Sequence, residues 1–257
     1  MTRFDVTATA MLSAFNARAP YRFMLDDPPE DLASAYALQS SFMEKRANGQ
    51  PFGGFKIAYT TPVMQKQINA SEPAFGRVLA SDIRPSPAVL DTRDYVALEL
   101  ECEVAIRFAQ DLPLDQTLTD EDVFAAIASV MLAFEIVDRR PFLGEKSLFQ
   151  SIAMNVLNAG IITGSPITDW SSRSLDKSVC TLSIDGREVG RGTGADVNGH
   201  PVKPSAWLAN ALSNHGLSIR AGDIVITGSM IPPTPLLAGQ RAQLTMDGLG
   251  DIEVTAT

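Results

Sequence analysis

Hydrophobic positions along the chain change their period several times, and each change marks an element. Over the first fifty residues they recur with helical spacing. The run DPPE at residues 27–30 predicts a helix start, LASAYALQSSFMEKRANG continues it, and Gly49 is its expected stop. GGFKIAYT (residues 53–60) predicts a short strand, and TPVMQKQINA a short helix opening at its proline. The clearest alternation is YVALELECEVAIRF, residues 95–108. Leu98, Leu100, Cys102, Val104 and Ile106 share one face, and Glu99, Glu101, Glu103, Ala105 and Arg107 share the other. Thr119 with Asp122 forms a capping signature for an expected helix DVFAAIASVM.

From Val179 onward the pattern turns to short strands. Asp185-Gly186 predicts a hairpin, as does Asp247-Gly248 inside RAQLTMDGLGDIEVTA. Between them lie a helix SAWLANALSNH after Pro204, closed by Gly216, and a strand GDIVITGS. Neither a repeat nor a low-complexity linker divides the chain, so a helical N-terminal region, residues 1–52, is expected to join a β-rich region, residues 53–257.

Composition limits the class. The 257 residues are 45% hydrophobic and 20% charged, ordinary for a folded domain with a substantial core. Thirty acidic residues against 21 Lys plus Arg give a formal net charge of −9, which argues against a nucleic-acid partner. The N-terminus lacks the apolar run of a signal peptide, and no apolar stretch is long enough to cross a bilayer. Two cysteines, Cys102 and Cys180, are too few for a disulfide framework, although one bridge between them stays open. The expectation is a cytoplasmic protein with no membrane partner.

The glutamate row is the sharpest chemical feature. Same-face neighbours on a strand lie roughly 6.5–7 Å apart, close enough to converge on one cation, and all-oxygen donors favour Mg²⁺, Mn²⁺ or Ca²⁺. A solvated edge strand is the plain alternative. Glu135, inside the apolar run VMLAFEIVDRRPF, needs a partner or a metal if buried, and Arg139 or Arg140 could pair with it. Lys56 is the only charge in GGFKIAYT. It can hold a substrate carboxylate or move a proton, or simply extend its ammonium to solvent from the surface. Thr227 and Gly228 end an apolar strand where a hydroxyl and free amides can meet an anion. His200 and His215 make no zinc motif, and GRGTGAD does not fit a dinucleotide loop.

In order, the segments GGFKIAYT, EPAFGRVLASD, ELECEVAIRF, AFEIVDRR, NAGIITG, GHPVKPSAWLAN and GDIVITGS resemble the fumarylacetoacetate hydrolase superfamily. Within it they are most similar to the branch of 2-keto-4-pentenoate hydratases and 4-oxalocrotonate decarboxylases. The resemblance implies an α+β fold, a mixed β-roll with a small helical N-terminal part. It implies Mg²⁺ or Mn²⁺ on Glu101, Glu103 and Glu135, with Lys56 and Glu101 catalytic and Lys56, Thr227 and Gly228 at the substrate. The implied reaction is addition of water to a 2-hydroxypenta-2,4-dienoate, giving a 4-hydroxy-2-oxo acid in aromatic catabolism. A sister decarboxylase, an acylpyruvate hydrolase and a non-catalytic partner subunit are the alternatives. A homo-oligomer, or a complex with a sister pathway enzyme, is also implied. The chain departs from the branch at Ala74, where an acid is usual, at Met154 and Leu157 beside the NAG stretch, and in the proline-rich SMIPPTPLLAGQ.

Overall fold

The computed structural model describes residues 3–21, 27–140 and 147–257. Residues 22–26 of the expected helical region, and Pro141-Phe142 at the end of the run around Glu135, lie outside it. The N-terminal helices are α1 (Arg3–Asn16) and α2 (Leu32–Ala47). The second starts later than DPPE suggested. Asp31 is its N-cap, accepting from the Ser34 N–H at 2.7 Å in a reciprocal capping box. It ends where Asn48 turns left-handed, just before Gly49.

The strands and remaining helices follow in chain order: β1 (Phe52–Ala58), α3 (Pro62–Gln67), β2 (Ala74–Leu79), β3 (Ile83–Pro85), β4 (Ala88–Leu90) and β5 (Leu98–Phe108). Next come α4 (Asp120–Ala125), β6 (Ile127–Asp138), α5 (Leu148–Ala153), β7 (Asn158–Thr163), β8 (Val179–Ile184) and β9 (Arg187–Thr193). The last are α6 (Pro204–Ser213), β10 (Ile224–Ser229), β11 (Thr234–Pro235), β12 (Arg241–Met246) and β13 (Gly250–Ala256). One sheet runs β2-β1-β10-β5-β6-β7-β3, with β11 added to β5, and the other runs β4-β13-β12-β8-β9. Pairs β1–β10, β3–β7 and β4–β13 are parallel among otherwise antiparallel neighbours. This is the mixed β-roll of an α+β fold.

The main core lies between the sheets. Leu98, Leu100, Cys102, Val104 and Ile106 from β5 meet Leu182, Leu244, Ile252 and Val254 from the smaller sheet. Cys102 and Cys180 are both buried free thiols in this layer. The alternation in β5 thus assigns its odd-numbered glutamates to the opposite face. That strand is central, between β10 and β6, and not a solvated edge.

One expected element changes type. The helix DVFAAIASVM stops at Ala125, and Ile127 begins the long strand β6. Nearly every β6 side chain is buried, so its apolar run carries neither strand nor helix periodicity. The glycines of GRGTGAD serve close packing: a Cβ on Gly192 or Gly194 would lie 2.2 Å from the Met230 carbonyl oxygen or 1.9 Å from that of Leu175.

The helices cover the glutamate face from one side. Gln39 of α2 donates to the carbonyls of Phe75 and Ile152, both at 2.9 Å, fastening β2 and α5 together. Arg140 closes the C-terminus of α1, donating to the carbonyls of Ala14, Phe15 and Ala19 at 3.2, 3.2 and 2.9 Å. Its buried guanidinium also holds Asp138 at 2.7 Å, so the end of β6 is tied to α1. Among the described residues no helix is long and apolar enough to cross a membrane.

Candidate metal centre and active-site pocket

Register brings the carboxylates together. Glu101 on β5 is directly opposite Glu135 on β6, and Glu103 is opposite Ala133. One carboxylate oxygen from each of Glu101, Glu103 and Glu135 can be chosen so that all three lie within 4.8 Å of one another. Glu103 and Glu135 are fully buried. Like charges facing each other across a strand pair repel, so this arrangement is stable only with protons or cations among them.

Lys56 is one such cation. The glycines before it let β1 approach its neighbours, for a Cβ on Gly54 would lie 1.8 Å from the Ile224 carbonyl oxygen. Its ammonium meets Glu135 Oε1 at 2.9 Å and donates to the Val156 carbonyl at 3.3 Å. It is buried, not extended to solvent. The expected arginine partners go elsewhere: Arg139 binds Glu99 at 2.6 Å and Arg140 binds Asp138. Both follow the end of β6, where carboxylates nearer to them, Glu99 and Asp138, take up their guanidinium groups.

A β-bulge aims the third carboxylate. Ile226 pairs with Ala105 but Ser229 with Glu103, so β10 carries an extra residue at Thr227-Gly228. The Gly228 N–H donates to Glu103 Oε2 at 2.6 Å. Thr227 is fully buried and its hydroxyl donates to the Val104 carbonyl at 3.2 Å. Gly228 and Ser229, and not Thr227, reach the wall of the adjoining pocket.

Two oxygens in this cluster, Glu103 Oε1 and Glu135 Oε2, are buried without a hydrogen-bond partner in the protein. Glu135 Oε1 is already held by Lys56 and by Asn158 Nδ2, each at 2.9 Å, which leaves Oε2 as its free ligand atom. Three converging carboxylates, two of them with a buried unpartnered oxygen, fit a divalent, oxygen-preferring cation. Without a cation, burial and then the charge of Glu135 push the Glu101 carboxyl up to about 7. Burial, Glu135 and Glu101 raise Glu103 well above the usual carboxylate range. Burial alone would lower Lys56, but Glu135, Glu101 and Glu103 together hold it above the ordinary lysine value.

The pocket over this floor has a volume of about 310 Å³, with Lys56, Glu101 and Gly228 at its base and Tyr59, Leu157 and Arg139 in its walls. Val156 and Leu157 line one wall and belong, with Asn155, to three consecutive left-handed residues with φ of 55, 46 and 65° from Asn155 to Leu157. Asn155 holds it down, exchanging 2.8 Å hydrogen bonds with the backbone N–H and C=O of Arg77 on the outer strand β2. Such strain in non-glycine residues persists only where surroundings enforce it, commonly at functional sites. Where the resembled branch has an acid, Ala74 packs with Ala35, Ile152 and Val156 in an apolar cluster.

Neither histidine lines this pocket. His200 accepts from the Val202 N–H, and His215 packs on Tyr36 with ring centroids 4.4 Å apart. Sequence reasoning did not single out Asn158, Tyr59 or the Val156 carbonyl. No local pattern marks them, because each reaches the site through pairing distant in the chain.

With this geometry in view, a family description, fumarylacetoacetate (FAA) hydrolase C-terminal, matches residues 56–257. The chain belongs to that family. Among members of the fumarylacetoacetate hydrolase family, it is 32% identical over 234 residues to 2-keto-4-pentenoate hydratase of Burkholderia vietnamiensis, covering 90% of this chain and 88% of that one. It is 31% identical over 238 residues to 2-hydroxyhexa-2,4-dienoate hydratase of Comamonas testosteroni, covering 91% and 90%. The solved 4-oxalocrotonate decarboxylase from Pseudomonas putida G7, complexed with magnesium and adipate, superposes with a TM-score of 0.90 at 25% identity, covering 100% and 99%.

Proposed function

We propose that this chain is a divalent-metal-dependent hydratase that adds water to 2-hydroxypenta-2,4-dienoate-type substrates, giving 4-hydroxy-2-oxo acids in aromatic catabolism. The observation that carries the reading is the convergence of Glu101, Glu103 and Glu135 beside a paired Lys56 at the base of a pocket. Relatives named as dienoate hydratases, matched along most of their length, support it.

Glu101, Glu103 and Glu135 would hold the ion, Mg²⁺ or Mn²⁺. When bound, such an ion supplies Lewis-acid stabilisation of charge developing on a 2-oxo acid. Lys56 keeps its proton and offers its remaining N–H to a substrate carboxylate, oriented by Glu135 and the Val156 carbonyl. Glu101, the least buried of the three carboxylates and the one that lines the pocket, is the one placed to exchange a proton with the substrate. Gly228 holds Glu103 through its amide and lines the substrate side, while Thr227 fixes the bulge behind it. The apolar walls exclude bulk water around the reacting chain. In this reading residues 53–257 carry the reaction, and α1 and α2 of the N-terminal region, residues 1–52, cover it. A cytoplasmic homo-oligomer, able to associate with a sister pathway enzyme, completes it.

A second reading, decarboxylation of an oxalocrotonate at the same site, is favoured by the superposition on the decarboxylase over the whole chain. The acylpyruvate hydrolase reading has less support, because no described histidine lines the pocket to activate water. The test mixes purified protein with 2-hydroxypenta-2,4-dienoate or 4-oxalocrotonate and Mn²⁺, with and without EDTA. Loss of substrate absorbance that EDTA stops is expected, and product mass separates gain of water from loss of carbon dioxide. Absence of metal-dependent turnover of either substrate overturns both readings and leaves the non-catalytic one.

A further inference from the structure

Tyr59 directly follows β1 and lines the pocket. Its backbone is left-handed, with φ of 58°, a conformation that a bulky residue adopts only under constraint. Both of its ends are held. Gln65 Nε2 on α3 donates to its carbonyl at 2.9 Å, and its hydroxyl meets Ser151 Oγ on α5 at 2.6 Å. The ring packs on the apolar cluster of Ala74, Ile152 and Val156. Two paired hydroxyls place one hydrogen between their oxygens. Among the described residues neither oxygen has another partner, so the second hydrogen is uncommitted. Burial pushes the phenol above the ordinary tyrosine value and Ser151 draws it down, so it keeps its proton near neutrality. The charges of Lys56, Glu101 and Arg139 also act on it, as they would on a group beside the base of the pocket.

Hydration of 2-hydroxypenta-2,4-dienoate needs hydrogen delivered to carbon. Forming 4-hydroxy-2-oxopentanoate breaks the O–H bond of the 2-hydroxyl and makes new C–H bonds at C3 and C5. The other proton carriers of the pocket are committed. Lys56 is held by Glu135 and the Val156 carbonyl, and the hydroxyl of Ser229 donates to the Ile231 carbonyl at 2.6 Å. Glu101 is the only carboxylate among the described lining residues, and it belongs to the metal cluster. We infer that Tyr59 is a catalytic residue whose hydroxyl protonates C3 of the substrate, and that Ser151 positions it. The inference rests on the hydratase reading and assigns one of its proton steps. The phenol O–H bond breaks, and its hydrogen forms the C3–H bond with the electron pair of the C2–C3 double bond. As the C2–O bond becomes a carbonyl, the 2-hydroxyl releases a proton that makes up the one lost by the phenolate, so no further reactant is consumed.

The test isolates the C3 step with 2-oxopentanoate, which has no 4-hydroxyl to lose. Exchange of its C3 hydrogens for deuterium is followed by proton NMR in D₂O with Mg²⁺-loaded protein, and its binding by titration calorimetry. Wild type is expected to catalyse the exchange, the reverse of protonation passing through the same group. Tyr59→Phe keeps the ring and its packing, so it should bind 2-oxopentanoate as wild type does. Its exchange should be roughly a hundred- to ten-thousandfold slower, the range for loss of a proton-transfer group. Ser151→Ala should slow exchange less and move its pH profile upward, because the bond that draws the phenol down is gone. Wild-type exchange in Tyr59→Phe, or a loss of exchange matched by an equal loss of binding, overturns the role of Tyr59. So does a wild type that binds the acid without exchanging it, and in each of these cases the 2-oxo-acid reading stands. If the loaded wild type neither binds nor exchanges 2-oxopentanoate, that reading fails, and this inference with it.

Discussion

Lys56 and Glu135 meet at 2.9 Å with both side chains closed off from solvent. Removing one member of a buried pair leaves the other as an uncompensated charge, at a cost of about 3–5 kcal/mol. Lys56→Met is therefore expected to lower the thermal midpoint of the metal-free protein markedly. Saturating Mn²⁺ should restore most of that loss, because the ion answers the same carboxylate. Turnover should stay low even when metal is bound. Normal kinetics in the loaded variant would remove Lys56 from the reaction.

The carboxylates separate folding from metal binding. Glu103→Gln removes a ligand charge from an already repulsive cluster, so its metal-free form should unfold cooperatively and at least as late as wild type, whereas Glu135→Gln also leaves the buried Lys56 without its carboxylate and should unfold cooperatively but earlier. Calorimetric Mn²⁺ affinity should fall beyond detection in both. Unchanged affinity in both variants excludes the three-glutamate site.

The raised carboxyls give stability a direction with pH. Glu101 titrates near 7 in the folded chain and near its ordinary value of about 4.3 when unfolded. Between those values the folded state holds a proton that the unfolded state has released. This group's contribution is thus full below about pH 4.3 and is lost as pH rises through 7. Glu103 shifts in the same direction. The wild-type metal-free midpoint should fall from about pH 5 to about pH 8 relative to Glu101→Gln. Cation binding needs the deprotonated forms, so Mn²⁺ affinity should rise over the same range with proton release, read by calorimetry in two buffers. A wild-type pH slope identical to that of Glu101→Gln would show that Glu101 is not raised.

The parts of this site that were legible in the sequence are those whose signal is local. Strict alternation in β5 put Glu101 and Glu103 on one face, and the cost of a charge in an apolar run marked Glu135. What failed was local in pattern but decided by tertiary burial. β6 is buried on both faces, so its continuous apolar run looked like an extension of α4. The partner of Glu135 was sought among the nearby arginines, whereas Lys56 arrives from β1, brought across the sheet by parallel pairing with β10. Thr227 was expected at the substrate with Gly228, on a strand end offering a hydroxyl and free amides and on the family resemblance. The extra residue in the bulge turned its hydroxyl to Val104 and gave the functional contact to the Gly228 amide.

That bulge carries the last prediction. Gly228 has φ of 121°, and a Cβ there would lie 2.6 Å from Thr60 Oγ1, so alanine meets both backbone strain and a side-chain clash. Strain of this kind costs about 1–3 kcal/mol. Gly228→Ala should lower stability by about that much and, in the protein that remains folded, weaken Mn²⁺ binding, because the amide that aims Glu103 moves. Adding Thr60→Ala relieves the clash but not the backbone conformation, so the double variant should recover stability only in part. Denaturant titrations measure the first effect and calorimetry the second. If Gly228→Ala binds Mn²⁺ as tightly as wild type, the glutamate is aimed by its own strand alone and the bulge serves only the pocket wall.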